Sequence, residues 1–163
     1  MNYGSKSFRR VYYNNQSDTP NLWGKAVLAR DYGPEPYVVD IEEATVRNNY
    51  FRSALWTGEH LQLTLMSIEP GSEIGLEIHP DVDQFLRIEQ GEGLAMMGDT
   101  QDNLNYRQRV SDGYAVFIPA GKWHNLINTG TRPLKLYSIY APPQHPRGTV
   151  HRTKEEAEKY NDH

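Results

Sequence analysis

One stretch of the chain indicates more about the fold than any other: Gly71-Ser72-Glu73-Ile74-Gly75-Leu76-Glu77-Ile78-His79-Pro80-Asp81-Val82-Asp83-Gln84-Phe85-Leu86-Arg87-Ile88-Glu89-Gln90-Gly91. Two groups of potential metal ligands, Glu77 with His79 and Asp83 with Gln84, lie at the ends of two predicted strands. A turn containing Pro80 joins these strands. Because alternate residues of a strand share a face, Glu77 and His79 point to the same side. The arrangement could hold a metal.

Short β-type runs separated by Gly, Pro, Asn and Asp continue beyond this stretch. Leu61, Leu63 and Leu65 alternate with more polar neighbours, which predicts a strand that ends near Ile68. Further strands are predicted at residues 74–79, 84–89, 93–98, 104–110, 114–118, 124–128 and 134–140. Their connections are short and hairpin-like, and strands do not alternate with helices. The sequence therefore predicts an all-β antiparallel sandwich or barrel.

Two flanking segments differ from this β-rich region. We expect residues 1–50 to form an N-terminal arm that packs on the barrel or on a partner subunit through Val11-Tyr12-Tyr13 and Leu22-Trp23. Within the arm, residues 40–45 are either a short helix or a loop. Residues 51–141 form the predicted barrel, and residues 142–163 form a Pro-rich tail with a short helix. Thr153 followed by Glu156 is a capping-box pattern, so this helix should begin there.

Composition limits the classes of function that the chain can have. A length of 163 residues fits one domain with one core. The absence of cysteine excludes disulfides, thiolate ligands and a cysteine nucleophile. A net charge of −4 with scattered basic residues argues against nucleic-acid partners. The first residues lack the apolar run of a signal peptide and no stretch is long enough to span a bilayer, so we expect a soluble, cytoplasmic protein without membrane partners.

A third potential ligand, His124, lies in a later stretch at residues 113–128. If Glu77 and His79 face the barrel interior, Gln84 can join them from the next strand and His124 from a third. Two imidazoles, a carboxylate and an amide oxygen suit a divalent ion such as Zn, Fe, Mn, Co or Ni. Other roles remain open: either His as a structural residue, Glu77 as a general base, and Gln84 as a group that orients a water or substrate. Asp83 is expected to point outward.

The later stretch resembles the second motif of the cupin superfamily, G-x5-P-x-G-x2-H-x3-N. The matching residues are Gly113, Pro119, Gly121, His124 and Asn128. The first stretch resembles the first cupin motif, G-x5-H-x-H-x4-E-x6-G, at Gly71, His79 and Gly91. It differs at two places, because Glu77 stands where the family usually has its first His and Gln84 where it usually has Glu.

The resemblance implies a cupin double-stranded β-helix, a jelly-roll barrel with a metal inside its wider mouth. It also implies a ligand set of Glu77, His79, Gln84 and His124, and a homodimer in which N-terminal strands pack across. Cupin-type mannose-6-phosphate isomerases have the same inventory of ligands with the Glu and Gln positions exchanged. The chain is thus similar to small single-domain cupins labelled mannose-6-phosphate isomerase-like.

These observations favour a metal-binding cupin that acts on a small polar molecule, as a sugar or sugar-phosphate isomerase-like enzyme with Glu77 as the catalytic base. A non-haem Fe(II) dioxygenase is an alternative, because two His and one carboxylate also describe such a site. A non-catalytic cupin that binds a small ligand is another alternative.

Several further residues are candidates for the wall of a pocket for a polar or anionic ligand, although each could instead be a packing or surface residue. They are Tyr50, Arg52, Trp56, Gln62, Arg87, Lys122 and Trp123. His60 is a candidate for the pocket rim. His145 and His151 would matter only if the tail folds over the mouth of the barrel.

Overall fold

The computed structural model describes residues 29–161, which form two antiparallel sheets and two short helices. The elements are α1 (Ile41–Arg47), β1 (Arg52–Thr57), β2 (Gln62–Ile68), β3 (Asp83–Gln90), β4 (Glu92–Gly98), β5 (Tyr106–Ser111), β6 (Ala115–Ile118), β7 (Trp123–Asn128), β8 (Leu134–Ala141), β9 (Val150–His151) and α2 (Lys154–Asn161). One sheet has the order β6-β3-β8-β2-β1-β9 and the other the order β5-β4-β7. The predicted all-β class is confirmed.

The interior of the larger sheet is polar at one end and apolar at the other. Three neighbouring strands, β3, β8 and β2, are aligned so that their buried residues form rows. The rows are Gln84, Tyr140 and Gln62, then Leu86, Ser138 and Thr64, then Ile88, Leu136 and Met66. The apolar row packs into a core that the smaller sheet completes with Ala95 and Leu126. The polar side chains, which can bind or react with a ligand, therefore lie at the end of the interior opposite the apolar row.

The predicted strand at residues 74–79 is not a regular strand. This segment is held against β7 by two isolated bridges, Glu73 to Ile127 and Glu77 to His124. Gly75 has a φ of 106°, a conformation that interrupts an extended run and that glycine adopts without strain. Pro80 follows the segment and has no N–H to donate to a ladder. Glu77 and His79 consequently lie beside β7 rather than in a hairpin with β3.

Strands β1 and β9 were not among the predicted strands. The first four residues of β1 are all buried, because neighbouring segments cover the face opposite the core, so the strand lacks period-two alternation. The Ala54 N–H donates to the Thr149 carbonyl at 2.8 Å, at the edge of β1 that pairs with β9. Strand β9 pairs with β1 and adds the tail to the larger sheet.

Both helices begin at side chains that accept hydrogen bonds from the first turn. Of residues 40–45, left open between helix and loop, residues 41–45 lie in α1 and Asp40 is its N-cap, whose carboxylate accepts the Glu43 N–H at 3.1 Å. The Thr153 hydroxyl caps the Glu156 N–H at 3.2 Å, which confirms the predicted start of α2. The arm residues Val11-Tyr12-Tyr13 and Leu22-Trp23 lie outside the described part of the chain, so their packing stays a prediction. Within residues 29–161, neither helix has the length and apolar character needed to cross a membrane.

Candidate metal centre

Glu77, His79 and His124 converge at the polar end of the barrel interior. The Glu77 Oε1 atom lies 3.1 Å from His124 Nε2 and 3.4 Å from His79 Nε2. Both imidazoles are buried, and the Glu77 side chain is 21% exposed, so solvent reaches the group from the carboxylate side. The three ligand atoms lie within 4.8 Å of one another. The predicted meeting of these three side chains is confirmed.

The backbone fixes the position of two of these ligands. Glu77 and His124 each donate an N–H to the other's carbonyl, at 3.0 and 2.9 Å, so the two residues face each other directly. His124 Nδ1 lies 2.9 Å from the Lys122 carbonyl oxygen, which can only accept a hydrogen bond. Nδ1 therefore carries the proton, and the lone pair of a neutral His124 is on Nε2, directed at Glu77.

This arrangement places a lone pair against a carboxylate oxygen unless a proton or a metal cation lies between them. Burial alone would raise the pKa of Glu77, but the hydrogen bond with His124, the close approach of His79 and the charges of both imidazoles hold the pKa well below its usual range. Glu77 is therefore ionised at neutral pH. An ionised carboxylate between two imidazole nitrogens is a chemically appropriate site for a cation.

The donor atoms also fit a divalent metal by their spacing. Ligands about 2.1 Å from a metal are separated by about 3.0 Å in octahedral and about 3.4 Å in tetrahedral geometry. The measured separations of 3.1 and 3.4 Å match these values. His79 Nε2 is buried and makes no hydrogen bond with any described residue. A buried nitrogen of this kind is expected to have a partner, and a metal would supply it.

Gln84 lies on the interior face of β3, at the same end of the barrel as the three converging residues. It is opposite Tyr140 in the ladder between β3 and β8, and the Tyr140 ring contacts the His79 ring at a centroid distance of 5.8 Å. Gln84 Nε2 donates to the Ser138 hydroxyl at 2.9 Å, which fixes the orientation of the amide. The buried Oε1 atom has no hydrogen-bond partner in the described structure.

Sequence reasoning missed that Tyr140 borders the centre, and it made the role of His145 depend on the tail folding back, which the structure shows. The Tyr140 ring packs edge-on between His79 and His145, whose centroid lies 5.1 Å away. His145 arrives from the tail because Gln62, which is fully buried, holds the tail backbone. Gln62 Oε1 accepts from the Gln144 and His145 N–H groups at 3.2 and 2.9 Å, and Nε2 donates to the His145 carbonyl at 2.9 Å. The period-two alternation of β8, which continues to Tyr140, was the sequence pattern that could have placed this side chain in the interior.

Two other predicted candidates have side chains that lie away from the centre. His60 is exposed beside Glu59, and Lys122 pairs with Asp99 at the surface. Asp83 is exposed as expected and accepts a hydrogen bond from the Ala120 N–H.

Comparison with known proteins agrees with this architecture. The model of the family described as Cupin domain matches residues 64–140. An uncharacterised protein of Bacillus subtilis, YrkC, is 63% identical over 131 residues, which is 80% of this chain and 70% of YrkC. The uncharacterised protein L612 of Acanthamoeba polyphaga mimivirus is 44% identical over 115 residues, 70% of each chain.

A solved structure supports the same assignment. The crystal structure of BH2720 from Bacillus halodurans is 65% identical in sequence, with a TM-score of 0.80, and the match covers 80% of this chain and 99% of that one. The two motifs, the paired antiparallel sheets and these similarities lead to one conclusion: this chain belongs to the cupin superfamily.

Proposed function

We propose that this protein binds a divalent metal through Glu77, His79, His124 and Gln84 and isomerises a small polar hydroxy-carbonyl molecule, of the sugar or sugar-phosphate type. The observation that carries the proposal is the position of Glu77 Oε1, 3.1 and 3.4 Å from two imidazole nitrogens in a buried site. Gln84 is included because its Oε1 atom is buried at the same end of the barrel without a hydrogen-bond partner in residues 29–161.

A metal bound at this site would polarise the carbonyl and hydroxyl oxygens of the substrate. The protein itself would supply proton transfer and orientation. Glu77 provides the carboxylate of the cluster, which is ionised at neutral pH because its pKa is lowered, and it would act as the base that accepts the proton. His79 and His124 are held by burial and, for His124, by the Lys122 carbonyl, so the groups around the substrate are preorganised.

A second candidate function is supported by the identity of the three converging side chains. Two His and one carboxylate are also the ligands of non-haem Fe(II) oxygenases. In that case Glu77 would serve only as a ligand and no carbon-bound proton would be moved. The two functions therefore differ in their dependence on oxygen and in the fate of solvent hydrogen.

The experiment compares wild-type protein loaded with Zn, Mn or Fe(II), with and without oxygen, on a panel of aldoses and aldose phosphates in D₂O. Isomerisation predicts deuterium incorporation next to the carbonyl carbon without oxygen, lost in His79→Ala and retained in the surface control His60→Ala. Oxygen consumption that requires Fe(II) would favour the oxygenase instead. Binding of a panel member without turnover under any condition would contradict both and indicate a binding protein.

A further inference from the structure

Arg52 is a buried cation for which the described structure provides no anion. Its side chain lies on the interior face of β1, opposite Met66, and the residue is 2% exposed. Among the described residues its Nε atom has no hydrogen-bond partner, its Nη1 atom lies 3.5 Å from His151 Nδ1, and its guanidinium carbon lies 5.4 Å from the centroid of the Phe51 ring. No carboxylate in residues 29–161 lies within ion-pair distance of the guanidinium. An uncompensated buried charge is costly, so such a group is expected to have an anionic partner.

Three other buried polar atoms also lack a well-aligned hydrogen-bond partner within residues 29–161. These atoms are the Thr64 and Tyr140 hydroxyls and His145 Nε2. Tyr140 contacts His145 at a centroid distance of 5.1 Å, and Thr64 lies opposite Ser138 in the ladder beside Tyr140. Arg52 lies opposite Met66 and Thr64 lies opposite Ala54, so Arg52 and Thr64 are diagonal neighbours on the interior faces of adjacent strands. Burial, followed by the charge of Arg52, lowers the pKa of His145 to about 3. The His145 imidazole is therefore neutral at neutral pH rather than a second cation.

The net charge around Arg52 and the metal centre indicates an anionic ligand. A divalent metal with Glu77 leaves a net charge of about +1, and Arg52 adds another positive charge. The buried residues of the described chain include no Asp or Glu whose negative charge would offset these positive charges. Hydroxyl, imidazole and guanidinium groups all donate hydrogen bonds to an oxyanion.

We propose that Arg52, Thr64, Tyr140 and His145 form an oxyanion subsite that binds a carboxylate or phosphate group of the molecule held at the metal centre. This inference rests on the proposed function, because the Tyr140 ring joins the subsite to His79 at 5.8 Å. The substrate is consequently a small acid or a phosphate ester rather than a neutral sugar.

The test measures the thermal unfolding midpoint of the metal-loaded full chain as acetate or inorganic phosphate is added, with sodium chloride at equal ionic strength as the reference. A ligand that binds the folded state raises the midpoint with concentration. We expect a rise above the chloride reference, with the stronger of the two anions identifying the carboxylate or the phosphate as the preferred group. Arg52→Met should weaken the apparent Kd at least tenfold, whereas the exposed control Arg109→Gln should leave it unchanged.

A second readout separates a binding role from a purely structural one. Arg52→Met replaces an unpaired buried charge with an apolar chain of similar length, so without added anion its midpoint should equal or exceed that of the wild type. Thr64→Val keeps the charge and removes one hydroxyl, and it should weaken anion binding at least threefold. This variant keeps the test decisive if Arg52→Met does not fold.

The inference is overturned if neither anion shifts the wild-type midpoint beyond chloride, or if the folded variants bind both anions as the wild type does. Metal content is measured on the same samples. Wild type that retains metal but shows no anion effect contradicts the subsite alone. Wild type that takes up no metal contradicts the proposed function, and the anion series on that protein then tests Arg52 by itself.

Discussion

Glu77 and His124 exchange both of their backbone hydrogen bonds, at 3.0 and 2.9 Å, and their side chains meet at 3.1 Å. The backbone pairing joins the segment before Pro80 to β7 independently of the side chains. Substitutions of either side chain should therefore remove a ligand while leaving the local fold in place. This separation makes the centre accessible to mutational tests.

Glu77→Gln should weaken metal binding at least tenfold, because an amide replaces the one carboxylate of the cluster and its charge is lost. The shape of the side chain is nearly unchanged. Competition with a fluorescent chelator measures the effect on Kd. Glu59→Gln, at a side chain that is 86% exposed, is the matched control. Equal affinity of Glu77→Gln and wild type would show that Glu77 is not a ligand.

Gln84→Leu tests whether the amide oxygen contributes to the centre. The substitution leaves the buried Ser138 hydroxyl without its partner and should lower the free energy of unfolding by about 1–3 kcal/mol. Ser138→Ala breaks the same hydrogen bond but keeps the amide. If Gln84 is a ligand, only Gln84→Leu weakens metal affinity severalfold at comparable stability. Identical affinities in the two variants would exclude Gln84 from the ligand set.

Gln62→Leu should release the tail segment that carries His145. Three hydrogen bonds to residues 144 and 145 and one to the Thr57 hydroxyl would be lost from a fully buried position. We expect a loss of about 2–4 kcal/mol in urea unfolding and faster proteolysis within the tail. Gln101→Leu, at an exposed turn, serves as the control. Unchanged stability of Gln62→Leu would contradict the anchoring role.

His145 should make the metal-free protein sensitive to acid. Its pKa is lowered by burial from 6.5 to about 3 in the folded state, so the unfolded chain binds the proton more tightly between these values. Stability is complete above pH 6.5 and falls toward pH 3, by at most about 1.4 kcal/mol per pH unit from this group. Urea unfolding from pH 7 to pH 4 should show a shallower decline in His145→Gln than in wild type. Parallel declines would indicate that His145 is protonated normally in the folded protein.

The sequence predicted those parts of the fold that depend on local pattern. Period-two alternation and motif spacing located seven of the strands and placed Glu77, His79 and His124 together. Alternation could not identify β1, because both faces of that strand are covered. It also misassigned residues 74–79, where Gly75 interrupts the strand and bridges to β7 replace a ladder.

The position of His145 depends on contacts that local pattern does not encode. Gln62 holds its backbone across a separation of 83 residues, so the ring reaches Tyr140 only when the tail folds back over β2. The significance of Arg52 likewise depends on the absence of a neighbouring carboxylate in the described structure, which composition does not reveal. The predicted homodimer remains a prediction, because the arm residues assigned to it lie outside residues 29–161.

The most direct test of the metal centre is elemental analysis of protein purified without added metal. Wild type and the control His60→Ala should carry about one divalent ion per chain, as expected for a single-metal site, whereas His124→Ala should carry almost none. The same analysis would also identify which of Zn, Fe, Mn, Co or Ni the site binds. A His124→Ala sample with the same metal content as wild type, or a wild type without metal, would contradict the proposed centre.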